Sequence, residues 1–259
     1  MNIREQLKKS HFARSAYYSF TSLRDFFLFD LVGFGKNIGL FLSDYLEYKN
    51  QLLKNNEAIK IDSIYPQLKD KVPTTPLDPI YFYQDTWAAK KIFDLNPEHH
   101  FDVGSSAKTI GLISQFVPTT MVDIRPLELK LDNLYFKEGT ILSLPFENET
   151  IKSISSLCVV EHIGLGRYGD PIDVYGSEKA VRELIRVTVS GGIILFSVPV
   201  GLTNKVFFNA HRVFKREYLL NLFSNCNLIE EKYILERQFS STFIDTDKFQ
   251  IGLFMFKKK

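Results

Sequence analysis

The chain has 259 residues, of which 45% are hydrophobic and 24% are charged. These fractions are typical of a folded protein and exclude wholesale disorder. The formal net charge of +2 is too small to indicate nucleic-acid binding, and the terminal basic run, Lys257 to Lys259, is typical of a solvated tail. Cys158 and Cys226 have no metal-ligand spacing and cannot form a secreted disulfide framework, which favours a cytoplasmic protein without a metal site.

The amino-terminal region carries neither a targeting signal nor a transmembrane pattern. Residues 1–10 are charged and lack the apolar run of a signal peptide. The most apolar early segment, residues 26–42, contains Asp30, Lys36 and Asn37 and falls short of the roughly 20 apolar residues that a spanning helix needs. We expect a packed or interfacial helix here, and the sequence leaves weak association with a membrane surface open.

Residues 1–60 carry helical patterning, because apolar residues such as Leu40, Tyr48 and Leu52 recur at helical spacing. The three prolines between residues 71 and 79 predict an extended linker, and residues 81–93 predict a short aromatic helix. The sequence thus predicts a helical extension over residues 1–95 and a second domain over residues 96–259. The extension is expected to cap a site or to build a homo-oligomer.

Residues 96–259 alternate between short apolar strands and amphipathic helices. Strands are predicted at residues 101–103, 121–124, 134–137, 154–159, 193–198, 228–235 and 251–256, and helices at residues 109–116, 178–189 and 216–223. The alternation up to residue 200 predicts right-handed crossovers and a mostly parallel sheet. Only a loop separates the last two strands, so we expect a hairpin and an antiparallel strand at the sheet edge.

The first two predicted strands end in residues suited to a nucleoside. The first ends at Gly104, where the backbone can approach a ligand closely, and the second ends at Asp123, which can accept hydrogen bonds from ribose hydroxyls. A dinucleotide fingerprint needs two further glycines, at the positions of Ser106 and Thr109. A nucleoside without a pyrophosphate is therefore favoured, and a nicotinamide-dependent oxidoreductase is the weaker alternative.

Five segments between residue 98 and the carboxyl terminus resemble, in order, the motifs of class I methyltransferases that use S-adenosylmethionine. They are the glycine loop at residues 102–106, Asp123, residues 139–146, the Glu161-His162 pair and the glycine turn at residues 190–199. The resemblance implies an α/β fold with a Rossmann-like, seven-stranded, mostly parallel sheet and an antiparallel carboxyl-terminal strand. Residues 164–171 and 208–214 also resemble a methyltransferase-like group found among bacterial surface-polysaccharide genes.

The resemblance implies S-adenosyl-L-methionine as the cofactor and assigns its binding residues by position. They are Asp102, Gly104, Ser105, Ser106, Asp123, Ile124, Thr140, Ile141 and Glu161. Thr140 stands where the family commonly has an aspartate that contacts the adenine amine. A backbone group or Ser143 is expected to take over that contact.

An aromatic and polar cluster that includes Tyr83, Gln84 and Trp87 precedes the second domain. Such spacing on a helix usually means packing. The functional alternative is a lid over the sulfonium, because aromatic faces attract cations. This alternative adds Tyr83 and Gln84 to the predicted cofactor site.

Two histidines are candidates for the base that assists a hydroxyl acceptor. His211, in a predicted loop over the site, is preferred over His162, and the alternative for each is a structural role in bracing a loop. The predicted substrate residues lie after the fourth and fifth strands and are Arg167, Tyr168, Asp170, Asn209 and Arg212. Two of them, Arg167 and Arg212, are suited to grip a phosphate or carboxylate, although exposed arginines are more often solvated.

The sequence therefore predicts O-methylation, dependent on S-adenosylmethionine, of a small polar acceptor. The expected acceptors are a sugar, a nucleotide sugar or a phosphorylated precursor of a surface glycan. A protein of another class, a non-catalytic methyltransferase-like binding or scaffold protein, is the alternative that the missing glycines and Thr140 support.

Overall fold

The computed structural model describes residues 31–55, 61, 63–68 and 70–259. The predictions for residues 1–10, for the helical pattern of residues 1–30 and for the start of the apolar segment at residues 26–42 lie outside these residues. Among the described residues, no helix is long and apolar enough to cross a membrane.

Contacts between Cα atoms divide the chain into two compact units, residues 1–76 and residues 77–259. The described part of the first unit contains helix α1, Leu31–Asn55, which confirms the helical prediction for these residues. A 3.0 Å ion pair between Lys71 Nζ and Asp44 Oδ2 ties the proline-rich segment to this helix. As predicted, residues 70–78 form no helix.

Helix α2, Pro79–Leu95, belongs to the second unit. Asp78 caps it, because its carboxylate accepts hydrogen bonds from two backbone N–H groups of the first turn. Pro79 occupies the first helical position, where its missing N–H breaks no intrahelical bond. The helix ends at Asn96 in the left-handed conformation, with a φ of 43°. The predicted aromatic helix is therefore present and packs with the following domain.

The second unit is built on one mixed sheet. Its strands are β1 (His100–Val103), β2 (Thr119–Asp123), β3 (Leu134–Glu138), β4 (Ile151–Leu157), β5 (Thr188–Gly201), β6 (Lys205–Phe207), β7 (His211–Lys215), β8 (Cys226–Leu235), β9 (Gln238–Ser240) and β10 (Gln250–Lys258). The strands are ordered β3-β2-β1-β4-β5-β10-β8-β9, with β6 and β7 joined beside β5. β1 to β5 pair in parallel. All seven predicted strands are present, and the Rossmann-like α/β fold is confirmed.

The three predicted helices of this unit are also present, as α3 (Ala107–Ile113), α4 (Gly176–Val187) and α5 (Arg216–Leu222). In α4, Ala180, Val181, Leu184 and Val187 are buried at helical spacing and pack in one cluster with core residues of the sheet. A 3₁₀ turn, Val160–His162, follows β4.

The antiparallel carboxyl-terminal strand is confirmed, but its predicted place at the sheet edge is wrong. β10 forms the expected hairpin with β8, yet it lies between β8 and β5 and pairs antiparallel with both. The physical reason lies in its composition, since Gln250 to Phe254 are all buried. A strand that is buried on both faces is more stable with neighbours on both sides, because an edge leaves backbone hydrogen-bonding groups unpaired.

Residues 208–214 were predicted as a loop, and this prediction is wrong for most of them. They belong to a hairpin in which β6 pairs antiparallel with β7, with Phe207 opposite His211. Asn209 makes the turn with a φ of 62°. β7 also pairs in parallel with the end of β5, so His211 and Arg212 are held in a strand.

The carboxyl ends of β1 to β4 lie at one edge of the sheet. The order of the strands reverses between β1 and β4, because the chain passes from β1 outward to β2 and β3 and then returns to the other side. Open α/β sheets form a crevice for ligands at such a point. The fold therefore predicts that a ligand site would be built from the residues that follow these four strands.

Candidate functional site

A pocket opens at the carboxyl ends of β1 to β4. Five of the residues predicted to bind the cofactor line it, namely Gly104, Asp123, Ile124, Thr140 and Ile141. His162, Tyr168 and Asp170, which were predicted for catalysis or substrate binding, line it as well. The other predicted residues are not part of the lining, and they are Tyr83, Gln84, Asp102, Ser105, Ser106, Glu161, Arg167, Asn209, His211 and Arg212.

Gly104 forms the floor of the pocket at the end of β1. Its φ is +73°, a conformation that residues with a side chain rarely adopt. A Cβ atom at this position would lie 3.0 Å from Val159 Cγ1. Glycine is therefore required here both for the turn and for the close approach to Val159, two residues after the end of β4.

Asp102 stabilises the glycine loop by hydrogen bonds and does not line the pocket. It is fully buried, and its carboxylate accepts hydrogen bonds from Ser105 N at 3.0 Å, Ser105 Oγ at 2.6 Å and Ser155 Oγ at 2.5 Å. Burial raises the pKa of Asp102 to about 6, although these hydrogen bonds oppose the shift. Ser105 thus stabilises the glycine loop through its hydrogen bonds to Asp102.

The same network extends to His100, which sequence analysis did not single out. Its Nδ1 and Nε2 atoms lie 2.8 Å from Ser153 Oγ and 2.9 Å from Ser155 Oγ. Burial lowers the pKa of His100 to about 3, so the ring is neutral. A neutral ring accepts one hydrogen bond and donates the other. His100 and Asp102 are therefore linked through Ser155 across β1 and β4.

Asp123 lies at the end of β2 with its carboxylate bound to Arg125. Arg125 donates from its backbone N at 2.8 Å and from Nε at 3.1 Å to Oδ1, and from a terminal nitrogen at 3.2 Å to Oδ2. The Arg125 side chain is 61% exposed, whereas that of Asp123 is 8% exposed. An exposed arginine is held weakly, so a ligand hydroxyl can displace the guanidinium from this carboxylate.

The end of the pocket beyond β3 is mostly apolar. Ile124, Ile141 and Leu142 line it, together with Thr140. The Thr140 hydroxyl accepts a hydrogen bond from Leu142 N at 3.2 Å and therefore stabilises its own turn. The side chains at this end of the pocket are therefore mainly apolar.

Helix α2 reaches the other end of the pocket through Gln84. Gln84 is 1% exposed, and its Oε1 accepts hydrogen bonds from Ser197 Oγ at 2.7 Å and from Cys158 Sγ at 2.9 Å. Cys158 lines the pocket in a left-handed conformation with a φ of 53°. Tyr83 instead stacks on Phe239 with ring centroids 5.2 Å apart. Gln84 therefore supports the pocket wall, and Tyr83 packs elsewhere.

Glu161 and His162 form a pair directly after β4. Glu161 is 2% exposed, and its Oε2 makes no hydrogen bond to any described residue. Burial raises the pKa of Glu161 to about 8. His162 Nδ1 lies 2.6 Å from the carbonyl oxygen of Ala210, and its Nε2 lies 3.7 Å from Glu161 Oε1. Because a carbonyl can only accept, Nδ1 carries the proton and Nε2 holds the lone pair.

Burial also lowers the pKa of His162, to about 4. The nearby Arg167 contributes to this shift, since its guanidinium donates to Ala210 O at 3.0 Å and lies 3.3 Å from His162 Nδ1. His162 is therefore a neutral ring at physiological pH. Of the two predicted bases, it is the one that lines the pocket.

Tyr168 closes the pocket between two arginines. The guanidinium carbons of Arg125 and Arg167 lie 5.0 and 5.1 Å from the centre of its ring, and His162 meets the ring edge-on at 5.6 Å. Asp170 holds this loop, because its carboxylate accepts hydrogen bonds from Gly164 N at 2.6 Å and Tyr168 N at 3.3 Å. The loop after β4 thus presents an aromatic ring and one cation, Arg167, at the mouth of the pocket, and Arg125 approaches the same ring from the turn after β2.

The structure does not bring His211, Asn209 and Arg212 into the pocket. His211 packs between Phe207 and Phe249, with ring centroids 5.1 and 5.2 Å away. Asn209 occupies the hairpin turn. Arg212 is 8% exposed and donates to two backbone carbonyls and to a serine hydroxyl, so its guanidinium is occupied within the protein.

We predict that Arg212→Met lowers the free energy of unfolding by about 3 kcal/mol, because the carbonyls of Ile163 and Asp173 lose buried donors. Urea denaturation measures this effect. Arg182→Met, at an exposed position of α4, is the matched control and should change stability by less than about 0.5 kcal/mol. A variant of Arg212 with unchanged stability and weaker acceptor binding would restore the predicted substrate role.

Arg125, Cys158 and Gly139 are among the pocket-lining residues that were not predicted as site residues. Arg125 follows Asp123 by two residues, a spacing typical of a turn in which the side chain bonds its own backbone. Cys158, which had no predicted site role, is half-buried in the lining. Gly139 was part of a family-like segment, and a Cβ there would lie 2.9 Å from Pro145 Cδ.

The chain was compared with known families and curated proteins. No curated protein matches it. A family model described as "Caenorhabditis protein of unknown function, DUF268" matches residues 143–249, which is less than half of the chain. The predicted likeness to a surface-polysaccharide group stays a prediction.

Several solved structures resemble this chain. The N-methyltransferase NodS from Bradyrhizobium japonicum WM9, in complex with S-adenosyl-L-homocysteine, has a TM-score of 0.50 and 12% identity, covering 76% of this chain and 93% of that chain. YcgJ from Bacillus subtilis has a TM-score of 0.49 and 15% identity, with coverages of 69% and 99%. The 1,6-didemethyltoxoflavin-N1-methyltransferase of Burkholderia thailandensis has a TM-score of 0.49 and 11% identity, with coverages of 73% and 93%. The likeness to NodS supports the fold alone, since one fold hosts many functions.

Proposed function

We propose that this protein is a methyltransferase that uses S-adenosyl-L-methionine. The observation that carries the proposal is one pocket in which Gly104 at the end of β1 and Asp123 at the end of β2 lie beside an apolar wall after β3. This combination suits an adenosine, with the base against Ile141, the ribose hydroxyls on Asp123 and the remaining chain over Gly104. NodS, a fold neighbour, holds S-adenosyl-L-homocysteine.

The protein's own contribution to such a reaction is mainly positioning. A bound sulfonium supplies an activated methyl group, and alignment of two reactants is worth about 7 to 11 kcal/mol in intramolecular models. Cys158, Val159 and His162 form the wall where an acceptor would meet the cofactor. Because His162 is neutral and held by Ala210, it can orient an acceptor hydroxyl through Nε2.

We further propose a small polar acceptor with a hydroxyl group, such as a sugar, a nucleotide sugar or a phosphorylated glycan precursor. Arg167 and Tyr168 at the pocket mouth support this class, because arginine binds phosphate and carboxylate groups. Arg125, rather than Arg212, is the second cation near this ring. The glycan origin of the acceptor, a homo-oligomer formed by the amino-terminal helices and a cytoplasmic location stay predictions.

The experiment that tests the proposal is calorimetric titration with S-adenosylhomocysteine. Asp123→Ala should weaken binding at least tenfold, because a carboxylate hydrogen bond contributes about 1.5 to 3 kcal/mol. Asp132→Ala, which removes an exposed acid from the loop before β3, is the matched control and should bind like the parent protein. Absence of binding to the parent protein would overturn the proposal.

The alternative function is a non-catalytic binding or scaffold protein with a methyltransferase-like fold. One observation favours it, namely that Arg125 engages both oxygens of the Asp123 carboxylate. If the protein has no cofactor site, Arg125→Met frees the Asp123 carboxylate and ligand binding should still be absent. If the cofactor displaces the guanidinium, Arg125→Met should strengthen binding of S-adenosylhomocysteine. A titration with a nicotinamide dinucleotide tests the oxidoreductase alternative in the same instrument.

A further inference from the structure

The order of the lining residues along the pocket indicates which of them would face the sulfonium. Its lining passes from Ile141 after β3, through Asp123 after β2 and Gly104 after β1, to Cys158 after β4. With the base and ribose at the first two positions, the methionine part of the cofactor lies toward the end of β4. This step rests on the proposed function.

A buried carboxyl lies behind this end of the pocket. Glu161 follows Cys158 and Val159, two residues of the wall, and precedes His162, a third. It is 2% exposed, and its Oε2 has no hydrogen-bond partner among the described residues. A buried polar atom without a partner costs free energy, so its retention beside the pocket calls for a ligand or an ionic partner.

The groups around Glu161 leave it without a strong counter-charge. The Cys158 thiol interacts with it, and burial raises the pKa of Cys158, so the thiol is neutral. His162 is neutral for the reasons given above. Helix α2 contributes two groups to these surroundings. Tyr81 is an uncharged phenol, and Asp85 is a further acid near Cys158.

Two cations lie in the surroundings, and neither pairs with Glu161. Arg167 lowers the pKa of Glu161 by less than burial raises it, and its guanidinium is bound to the carbonyl of Ala210. Arg212, from β7, is bound to Ile163 O and Asp173 O, and the neighbouring His211 is half-buried among aromatic rings. The protein alone therefore favours the neutral carboxylic acid at Glu161.

We propose that Glu161 is the counter-charge of the sulfonium: it is a neutral acid in the free protein and becomes a carboxylate when the positively charged cofactor binds. The carboxyl O–H bond breaks on binding, its electron pair stays on Glu161 and the proton passes to solvent. When the methyl group moves from sulfur to the acceptor oxygen, the electron pair of the S–C bond stays on sulfur. The acceptor's proton then restores the neutral acid, so that one proton is released per turnover.

This assignment makes Glu161 a discriminator between the cofactor and its demethylated product. S-adenosylmethionine and S-adenosylhomocysteine differ by one methyl group and one positive charge, and only the former favours ionisation of a buried acid. Binding of the charged form then expels a proton, whereas binding of the neutral form does not. The same difference favours release of the product after transfer.

The test is calorimetry of both ligands at pH 7 in buffers with different ionisation enthalpies, which counts the protons released on binding. A group with a pKa of about 8 is about 90% protonated at pH 7. S-adenosylmethionine should therefore release close to one proton, and S-adenosylhomocysteine none. Between pH 6 and pH 7.5, affinity for the charged ligand should rise by a factor approaching ten per pH unit.

Two variants isolate the responsible group. In Glu161→Gln, the proton release should vanish, and affinity for S-adenosylmethionine should fall about tenfold relative to S-adenosylhomocysteine. Glu178→Gln is the matched control, since Glu178 in α4 also has a buried oxygen without a partner among the described residues but is not adjacent in the chain to any residue that lines the pocket. It should keep the proton release of the parent protein.

Equal proton release by the two ligands, or none by either, would overturn the role of Glu161 and leave the proposed function intact. Failure of both ligands to bind would overturn the proposed function itself and the inference with it. Proton release by the two ligands on the parent protein tests the proposed role of Glu161 even if Glu161→Gln does not fold.

Discussion

Gly164→Ala is expected to lower the free energy of unfolding by more than about 3 kcal/mol, whereas Gly169→Ala should cost about 1 kcal/mol. Both glycines lie in the loop after β4, with φ values of +83° and +87°. A Cβ atom at Gly164 would lie 2.0 Å from the backbone oxygen of Asp173, whereas a Cβ at Gly169 would meet nothing within 4 Å. The difference in unfolding free energy between the two variants therefore measures the cost of the backbone clash, because both carry the cost of a left-handed conformation.

The measurement is urea denaturation of the two variants beside the parent protein. The loop has little freedom to relax, because Asp173 N also donates to Gly164 O at 3.0 Å and the Asp170 carboxylate accepts from Gly164 N at 2.6 Å. Equal costs for the two substitutions would mean that the loop moves away and that its contacts contribute little. We also expect Gly164→Ala to displace Tyr168 and thereby weaken binding at the pocket.

The order of elements in the second unit could be predicted from the sequence because each strand is an apolar run bounded by turn residues. The residues Val103, Val122 and Ile154 are buried. An apolar run with turn residues at both ends is enough to predict such a strand. The placement of β10 could not be found in this way. The position of β10 depends on its pairing with both β5 and β8. Pairing between strands that are far apart in the chain leaves no local signal in the sequence.

The positions of Gly104 and Asp123 in the pocket lining could be predicted more easily than the positions of His211 and Arg212, for the same reason. Gly104 and Asp123 are fixed by the ends of strands, so a motif in the sequence places them in space. His211 and Arg212 were assigned to an open loop, but the β6–β7 hairpin holds both within the protein. The paired residues of β5 and β7, such as Val200 and Phe214, lie 14 positions apart in the chain, and periodicity does not reveal such a pairing.

The buried polar networks were also beyond the reach of the sequence. His100 and Ser155 lie more than 50 residues apart, and Gln84 and Ser197 lie more than 100 residues apart, yet each pair forms a hydrogen bond. A histidine in a strand or a glutamine in a helix gives no indication of its distant partner. Such contacts decide which polar residues face the pocket and which stabilise its walls.

Glu161→Gln is expected to change how stability depends on pH, even without a ligand. Burial raises the pKa of Glu161 from 4.5 to about 8 in the folded protein. Between these values the unfolded chain loses the proton and the folded protein keeps it, so the stability of the parent protein falls as pH rises. Above about pH 8 both states are ionised, and the dependence ends.

The full interval corresponds to roughly 5 kcal/mol at 1.36 kcal/mol per pKa unit, of which about 3 kcal/mol lies between pH 5.5 and pH 8.5. The glutamine side chain of the variant cannot titrate, so the stability of the parent protein relative to Glu161→Gln should fall by that amount across this range. Urea denaturation at the two pH values measures the difference. Glu98→Gln, whose parent side chain is 90% exposed, controls for the loss of one surface charge.

The direction of this change is what distinguishes a buried neutral acid from an ion-paired one. A Glu161 carboxylate paired with Arg167 would have a lowered pKa, and its contribution to stability would be lost as pH falls. The difference between the parent protein and Glu161→Gln would then grow rather than shrink with rising pH. A neutral Glu161 in the free protein is the state from which a positively charged ligand can expel a proton, so the ligand-free measurement and the calorimetric one must agree.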